Sequence, residues 1–140
     1  MEEISLQQNN EKFQVSVNET ESSVDFTINN NDQIASALQC EIDRTKNILI
    51  AQILRTEQDF RRQGMAKQLF IEAIKFAETH ELQFVTDYGI SIEVEKLIQS
   101  LEKEGFTFTK NENAQQRDTS LGTRVVAPDG SPVYILNKKL

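Results

Sequence analysis

The chain has 140 residues, the size of one ordinary domain, and can bury a core without disulfide or metal support. Its 15 Lys and Arg against 22 Asp and Glu give a net charge of −7, which excludes broad affinity for nucleic acid or anionic lipid but not a small local basic site. The single cysteine, Cys40, excludes an internal disulfide. The polar start "MEEISLQQNNEK" lacks the apolar stretch of a secretory signal, and no apolar run approaches the roughly 20 residues that span a bilayer. The expectation is one cytoplasmic domain over 1–140, with no metal, nucleic acid or membrane among its partners.

The first third is patterned as strands. Residues 12–17 (KFQVSV) and 23–28 (SVDFTI) alternate apolar and polar, the period of a half-buried strand, and NETES between them reads as a turn. NNND at 29–32 is a second turn. Residues 33–43 (QIASALQCEID) put Ile34, Leu38, Cys40 and Ile42 on one face of a long strand, with Ser36 the small polar interruption. ILIAQIL at 48–54 is nearly all apolar, as expected of a central strand covered on both faces. The period then changes. Ala66, Leu69, Phe70, Ala73, Ile74 and Ala77 recur at helical spacing, and this helix should end near His80. LQFVTDY at 82–88 reads as a strand and GISI as a junction. A second helix from about Ile92 carries Val94, Leu97, Ile98 and Leu101 on one face, with Gly105 as its C-terminal cap. GFTFTK begins another strand, NENAQQRDTSLG is a polar loop, and 123–139 read as a terminal hairpin turning at Pro128, Asp129 and Gly130. Strands flanking the first helix would be parallel, through a right-handed crossover. The predicted class is α/β in the α+β sense: a mixed, mostly antiparallel sheet with helices on its faces.

The junction before the first helix carries the chemistry. Arg61 and Arg62 stand in a polar loop, and Gly64 opens the helix. A helix N-terminus exposes unpaired N–H groups and the positive end of a dipole, so it attracts anions. Gly64 permits close approach of a ligand, Ala66 keeps a neighbouring position small, and Arg61, Arg62 and Lys67 supply charge-assisted donors. In composition this is a phosphate or pyrophosphate cradle, although neither a Walker A loop nor G-x-G-x-x-G. The competing reading is a tight turn with solvated arginines.

RRQGMA at 61–66 resembles the Arg/Gln-x-x-Gly-x-Gly/Ala signature of the GNAT superfamily of N-acetyltransferases. EKEGFTF at 102–108 is similar to the family's Gly-Phe ending of the next helix, and VYILNKKL at 133–140 to its last strand. The resemblance therefore runs from about Ile48 to the C-terminus, in the same element order. It implies the acyl-CoA N-acyltransferase (GNAT) fold, with the N-terminal helices short or absent, because a short turn joins the first two strands. It implies acetyl-CoA as acyl donor, direct transfer to an amine of a small molecule or protein, and a homodimer as one allowed assembly. Carried over, Leu54, Arg55 and Thr56 would splay from the next strand and pair with the pantetheine arm as an added strand would. Arg61, Arg62, Gln63, Gly64, Met65, Ala66 and Lys67 would hold the pyrophosphate, with Arg62 or Lys67 reaching the adenosine 3′-phosphate.

The chain departs from the family at the reacting end. The tyrosine that protonates the leaving thiolate falls at Leu101, an asparagine early in that helix at Val94, and a glutamate base at Ile50. Transfer needs a base for the amine, a donor for the developing oxyanion and an acid for the thiolate. Tyr88 and Glu41 are the candidate catalytic residues in their place, with Ser91, Asp43 and Gln52 as further polar candidates. Each has a plain structural alternative, as a surface residue or a satisfied polar group. His80, at a helix C-terminus, and Cys40, on an apolar strand face, read as structural. Two other functions stand beside acetyl transfer. One is a CoA-binding regulatory or partner-binding protein with little catalysis, favoured by Leu101, Val94 and Ile50. The other is a nucleic-acid-associated protein using Arg61 and Arg62, disfavoured by the net charge.

Overall fold

The computed structural model describes residues 13–61 and 64–137. Strands β1 (Val15–Glu19), β2 (Ser23–Asn30), β3 (Gln33–Asp43) and β4 (Ile48–Thr56) form an antiparallel meander. In β2 the period of two is plain: Val24, Phe26 and Ile28 are buried between half-exposed Asp25 and Thr27. A short turn, closed by Thr20 N–H to Ser23 O at 2.8 Å, joins β1 to β2 with no intervening helix. After a 3-10 turn (Gln58–Phe60), helix α1 (Met65–Thr79) crosses to β5 (Gln83–Thr86), which runs parallel to β4. Then come β6 (Gly89–Ser91), helix α2 (Ile92–Lys103), β7 (Phe108–Lys110), β8 (Gln115–Thr119), β9 (Gly122–Val126) and β10 (Tyr134–Leu136). The main sheet has the order β1-β2-β3-β4-β5-β10-β7, and a small sheet the order β6-β9-β8.

Both helices lie on one face of the main sheet. Helix α1 buries Leu69, Phe70, Ala73, Ile74 and Ala77 over β2 to β5, and the Phe70 and Phe84 rings meet edge to face at 5.8 Å. Ile135 pairs with Val85, which puts Tyr134 on the Phe84 side, and Tyr134 Oη donates to Glu95 of α2 at 2.9 Å. Truncating fully buried Leu69 or Ile98 to Ala would cost about 2–5 kcal/mol. The ends of α2 are set locally. Ser91 Oγ accepts the Val94 N–H at 3.2 Å, while Gly105 takes φ 106° and Phe106 N–H closes on Leu101 O at 3.2 Å, a Schellman ending. An ion pair between Lys67 and Glu104 joins the start of α1 to the end of α2.

Two bulges correct the expected strand faces. The first leaves Ala35 as the extra residue in β3, so Ile34 pairs with Asn29, faces outward and is 54% exposed instead of sharing the Leu38 face. The second leaves Gln52 as the extra residue in β4: Cys40 pairs with Ala51 and Gln39 with Ile53. Leu49 and Ala51 are buried, but Ile48 and Ile50 are half-buried and Ile53 is 52% exposed, so β4 is not covered on both faces as expected. The terminal hairpin does not form either. Gly130 N–H does bond Ala127 O at 3.1 Å, but beyond this turn the strands part. β9 joins β6 and β8, whereas β10 inserts between β5 and β7. The slot beside β5 lets β10 bury Tyr134, with Val133 before it fully enclosed, which pairing with exposed β8 or β9 would not. The polar loop contains β8, all five residues of which are exposed, and the GISI junction contains β6. No helix among the described residues is long and apolar enough to cross a membrane.

Candidate functional site

β4 and β5 pair only from Ile48 opposite Gln83 to Ala51 opposite Thr86. Beyond that point β4 continues against β3 alone, so its backbone from Gln52 to Thr56 has no strand on the β5 side. The Gln52 bulge sits at the parting point, where a bulge bends a strand and raises its twist. Leu54, Arg55 and Thr56 stand on this open edge. Its far end is pinned to β3: Ser36 Oγ donates to Arg55 O at 3.2 Å and lies 2.7 Å from Thr56 Oγ1. A cleft of about 260 Å³ opens where the strands part. One wall is Leu38, Phe70 and β4 from Ala51 to Leu54. The other is Gly89, Ile90, Ser91, Val94 and Arg124.

The start of α1 follows from the same edge. Gly64 is its N-cap at φ 84°, ψ 7°, a left-handed conformation in which an L-residue is strained. A Cβ there would meet nothing within 4 Å, so the backbone angle, not crowding, demands glycine. The first turn holds no acidic residue, and glycine offers no side chain to cap its N–H groups. Arg61 Nε donates to Thr56 O at 3.2 Å, tying the loop to the end of β4. Lys67 is paired with Glu104, so its charge already has a partner. Met65 is buried and Ala66 half-buried, while Arg62 and Gln63 lie outside the described residues. Gln68, one turn in, is buried; its Oε1 accepts the Phe13 N–H at 3.3 Å and its Nε2 donates to Phe13 O.

The two catalytic candidates are not in the cleft wall. Tyr88 is 55% exposed, its N–H bonded to Asp87 Oδ1 at 2.8 Å. Glu41 is on the outer sheet face, and its Oε1 accepts from Gln52 Nε2 at 2.8 Å, so it reaches the cleft only through Gln52. Asp43 caps a turn through Thr45 and Lys46. Leu101 is fully buried, and Val94 lines the cleft, so the position where the family carries asparagine is within the site but apolar. His80 stacks on Phe76 at the opposite end of α1, with ring centroids 3.9 Å apart. Burial, with the Asp25 charge adding to it, pushes the Cys40 thiol up and makes it inert. Sequence reasoning missed Arg124. It is half-buried in β9 and its Nη2 donates to Gly89 O at 3.1 Å. The available signal was an arginine inside the apolar run TRVVA.

Behind α2, Glu95 Oε2 accepts from Tyr134 Oη at 2.9 Å and from Lys110 Nζ at 2.8 Å. Burial, then the Glu95 hydrogen bond and charge, push the Tyr134 phenol up. Burial pushes Glu95 up too, but the Lys110 and Tyr134 contacts outweigh it and hold the carboxyl below its usual value. Among the described residues no three His, Cys, Asp or Glu side chains group to hold a metal ion.

No protein-family model matches the sequence, and neither does any curated protein. Solved structures do match. An acetyltransferase from Bacillus subtilis in complex with CoA superposes with TM-score 0.60 at 14% identity, covering 91% of this chain and 99% of that one. The ribosomal-protein-S18-alanine N-acetyltransferase from Escherichia coli gives 0.55 at 15% identity, over 97% and 80% of the two chains. Arabidopsis thaliana Naa50, bound to the bisubstrate analogue CoA-Ac-MVNAL, gives 0.55 at 12% identity, over 82% and 72%. The chain spans 64% of the length of a candidate streptothricin acetyltransferase from Bacillus anthracis and 65% of a nourseothricin acetyltransferase. At such identities the likeness is one of fold: the mixed sheet and two helices are those of the GNAT acyl-CoA N-acyltransferases.

Proposed function

Because the chain has the fold of the GNAT acetyltransferases, we propose that it binds acetyl-CoA and transfers the acetyl group to an amine. The observation that carries this is the continuity of three features: the unpaired β4 edge, the cleft at its start, and the uncapped helix N-terminus at its end. An edge with free backbone groups takes an extended amide chain as an added strand. The pantetheine arm is such a chain, and Ile53 to Thr56 would hold it. The first-turn N–H groups after Gly64, with Met65, Ala66 and Arg61, would hold the pyrophosphate, and the resemblance adds Arg62 and Gln63 to them. Lys67 would have to leave Glu104, or share it, to join them.

When bound, acetyl-CoA supplies an acyl carbon activated by a thiolate leaving group. The amine nitrogen forms the new C–N bond as the C–S bond breaks, and the amine proton passes to solvent or a base. Among the described residues no carboxylate or histidine lines the cleft. This chain would therefore act chiefly by holding the reactants together, with backbone N–H groups at the parting point facing the developing oxyanion. Glu41 would assist through Gln52, drawing the amine in and keeping that amide fixed. Tyr88, exposed and outside the cleft, would serve as acid only if its side chain turned inward. The acceptor would be a small amine or a protein terminus; the wholly buried Leu101 gives the second reading, CoA binding with little turnover, its specific support.

Calorimetric titration with acetyl-CoA, and with dephospho-CoA as control, tests the first step. Saturable binding that weakens without the 3′-phosphate is expected. Reversing charge at Arg61 and Arg62 together should weaken it further, each charge-assisted contact being worth about 1.5–3 kcal/mol. No binding of either ligand sinks the proposal. Binding without acetyl release to any amine in a broad panel selects the second reading.

A further inference from the structure

The cleft has an apolar wall and a cationic one. Among the described residues Arg124 is the only charged side chain lining it, in a chain whose net charge is −7. It has no anionic partner among the described residues; its one bond, Nη2 to Gly89 O at 3.1 Å, fixes the head and leaves most of the guanidinium fork unused. The β8–β9 register also sets Arg117 directly opposite Arg124, on the same face. Like charges opposed in this way destabilise a hairpin, so among the described residues the bond to Gly89 O is the one structural reason for a cation here. Ser91 Oγ borders the same wall and caps the start of α2, whose first turn carries Glu93 and Glu95, so Arg124 itself is the cationic feature of this wall.

From this we infer that Arg124 anchors a carboxylate carried by the acceptor, and that the acceptor is a small amine bearing a carboxylate near the amine: a free amino acid. The inference rests on the acetyltransferase reading and names its substrate class. The cleft volume limits the choice, because about 260 Å³ must hold both the thioester end and the acceptor. Amine and carboxylate must then lie within a few bonds of each other. Di- and polyamines, which the acidic surface would attract, would meet an unneutralised guanidinium at the point of transfer. A planar fork facing a carboxylate forms two parallel hydrogen bonds, a geometry that a lysine ammonium does not reproduce.

The test uses the full chain with saturating acetyl-CoA, whose binding is measured first by calorimetry. Three acceptors share one skeleton: phenylalanine, phenylalaninamide and phenethylamine; glycine and glycinamide form a smaller pair. Released CoA thiol reports turnover. The expected result is a preference for the carboxylate-bearing member of about 10- to 100-fold in kcat/KM, entering through KM. The preference should collapse towards unity in Arg124→Gln, with only part of it kept in Arg124→Lys. A second readout needs no turnover: the Arg124 side-chain Nε–H resonance should move on adding N-acetylglycine and not N-acetylglycinamide. Equal use of acid and amide, a preference that survives Arg124→Gln, or an unmoved resonance would each overturn the inference. If no amine reacts, the resonance decides. If acetyl-CoA fails to bind, the acetyltransferase reading itself has failed, an outcome distinct from acetyl-CoA binding without carboxylate preference.

Discussion

Gly64 separates a turn residue from a ligand-binding residue, and substitution there divides the two roles. The position has φ 84° and open space around any added Cβ. Gly64→Ala therefore pays backbone strain and no clash, about 1–2 kcal/mol, which is a fall in Tm of roughly 3–8 °C for a chain of this size. Gly64→Asn should cost less, because asparagine enters the left-handed region more readily. If Gly64 only turns the chain, Gly64→Asn loses a little stability and keeps wild-type acetyl-CoA affinity. If it admits a pyrophosphate to the α1 N–H groups, the Asn side chain stands in the approach, and acetyl-CoA binding falls by about tenfold or more, over 1.4 kcal/mol, while the fold survives. The chain has no tryptophan, so far-UV circular dichroism in urea measures stability and calorimetry measures affinity. A folded Gly64→Asn protein with unchanged acetyl-CoA affinity would refute the cradle.

Three further outcomes follow from the described contacts. The Glu95 carboxyl is held below its usual value, so its contribution is complete above the unfolded carboxylate value of about 4.3 and is lost as pH falls through the depressed native value. Tyr134→Phe should then cost about 1.5–3 kcal/mol at pH 7 and much less near pH 3; a cost independent of pH across urea melts would show that the hydrogen bond to Glu95 carries none of it. Gln68→Ala, which strips both side-chain bonds from the Phe13 backbone, should cost about 1–3 kcal/mol and speed hydrogen exchange at the Phe13 amide; unchanged protection there contradicts the clamp. Cys40, 2% exposed and with its thiol pushed up, should react with a disulfide reagent only as fast as the chain unfolds, and rapid labelling of native protein contradicts its placement.

What the sequence revealed and concealed divides along physical lines. β2 and α1 bury one face fully and α2 buries Ile98 and Leu101 on one face, so apolar residues mark their period; Gly105 was legible as a helix cap, and Gly64 as the opening of α1. β8 buries nothing, and a fully exposed ladder needs no apolar alternation, so QQRDT read as loop. β9 and β10 were each visible as strands, but their partners are set by which slot in the sheet is open, information that no local pattern holds. The open β4 edge was anticipated at Leu54 to Thr56 because the resemblance supplied it, whereas its start at Gln52 came from a bulge that alternation hides. Arg124 escaped because its place in the cleft wall depends on β9 pairing with β6, far in sequence from Gln52.

The surplus residue at Gln52 also acts as a parity switch along β4. Odd-numbered positions up to Ala51 look towards the helices; past the bulge, even-numbered Leu54 does. A single codon deletion of Gln52 would remove the bulge and leave plain alternation, with Leu54 still opposite Leu38 and Arg55 still outside; what it would take away is the bend and extra twist at the parting point. The count of residues at this point thus sets how β4 leaves β5, not which side chains face inward. A library that varies length at position 52 would show how far the open edge depends on that bend rather than on the chemistry of its residues.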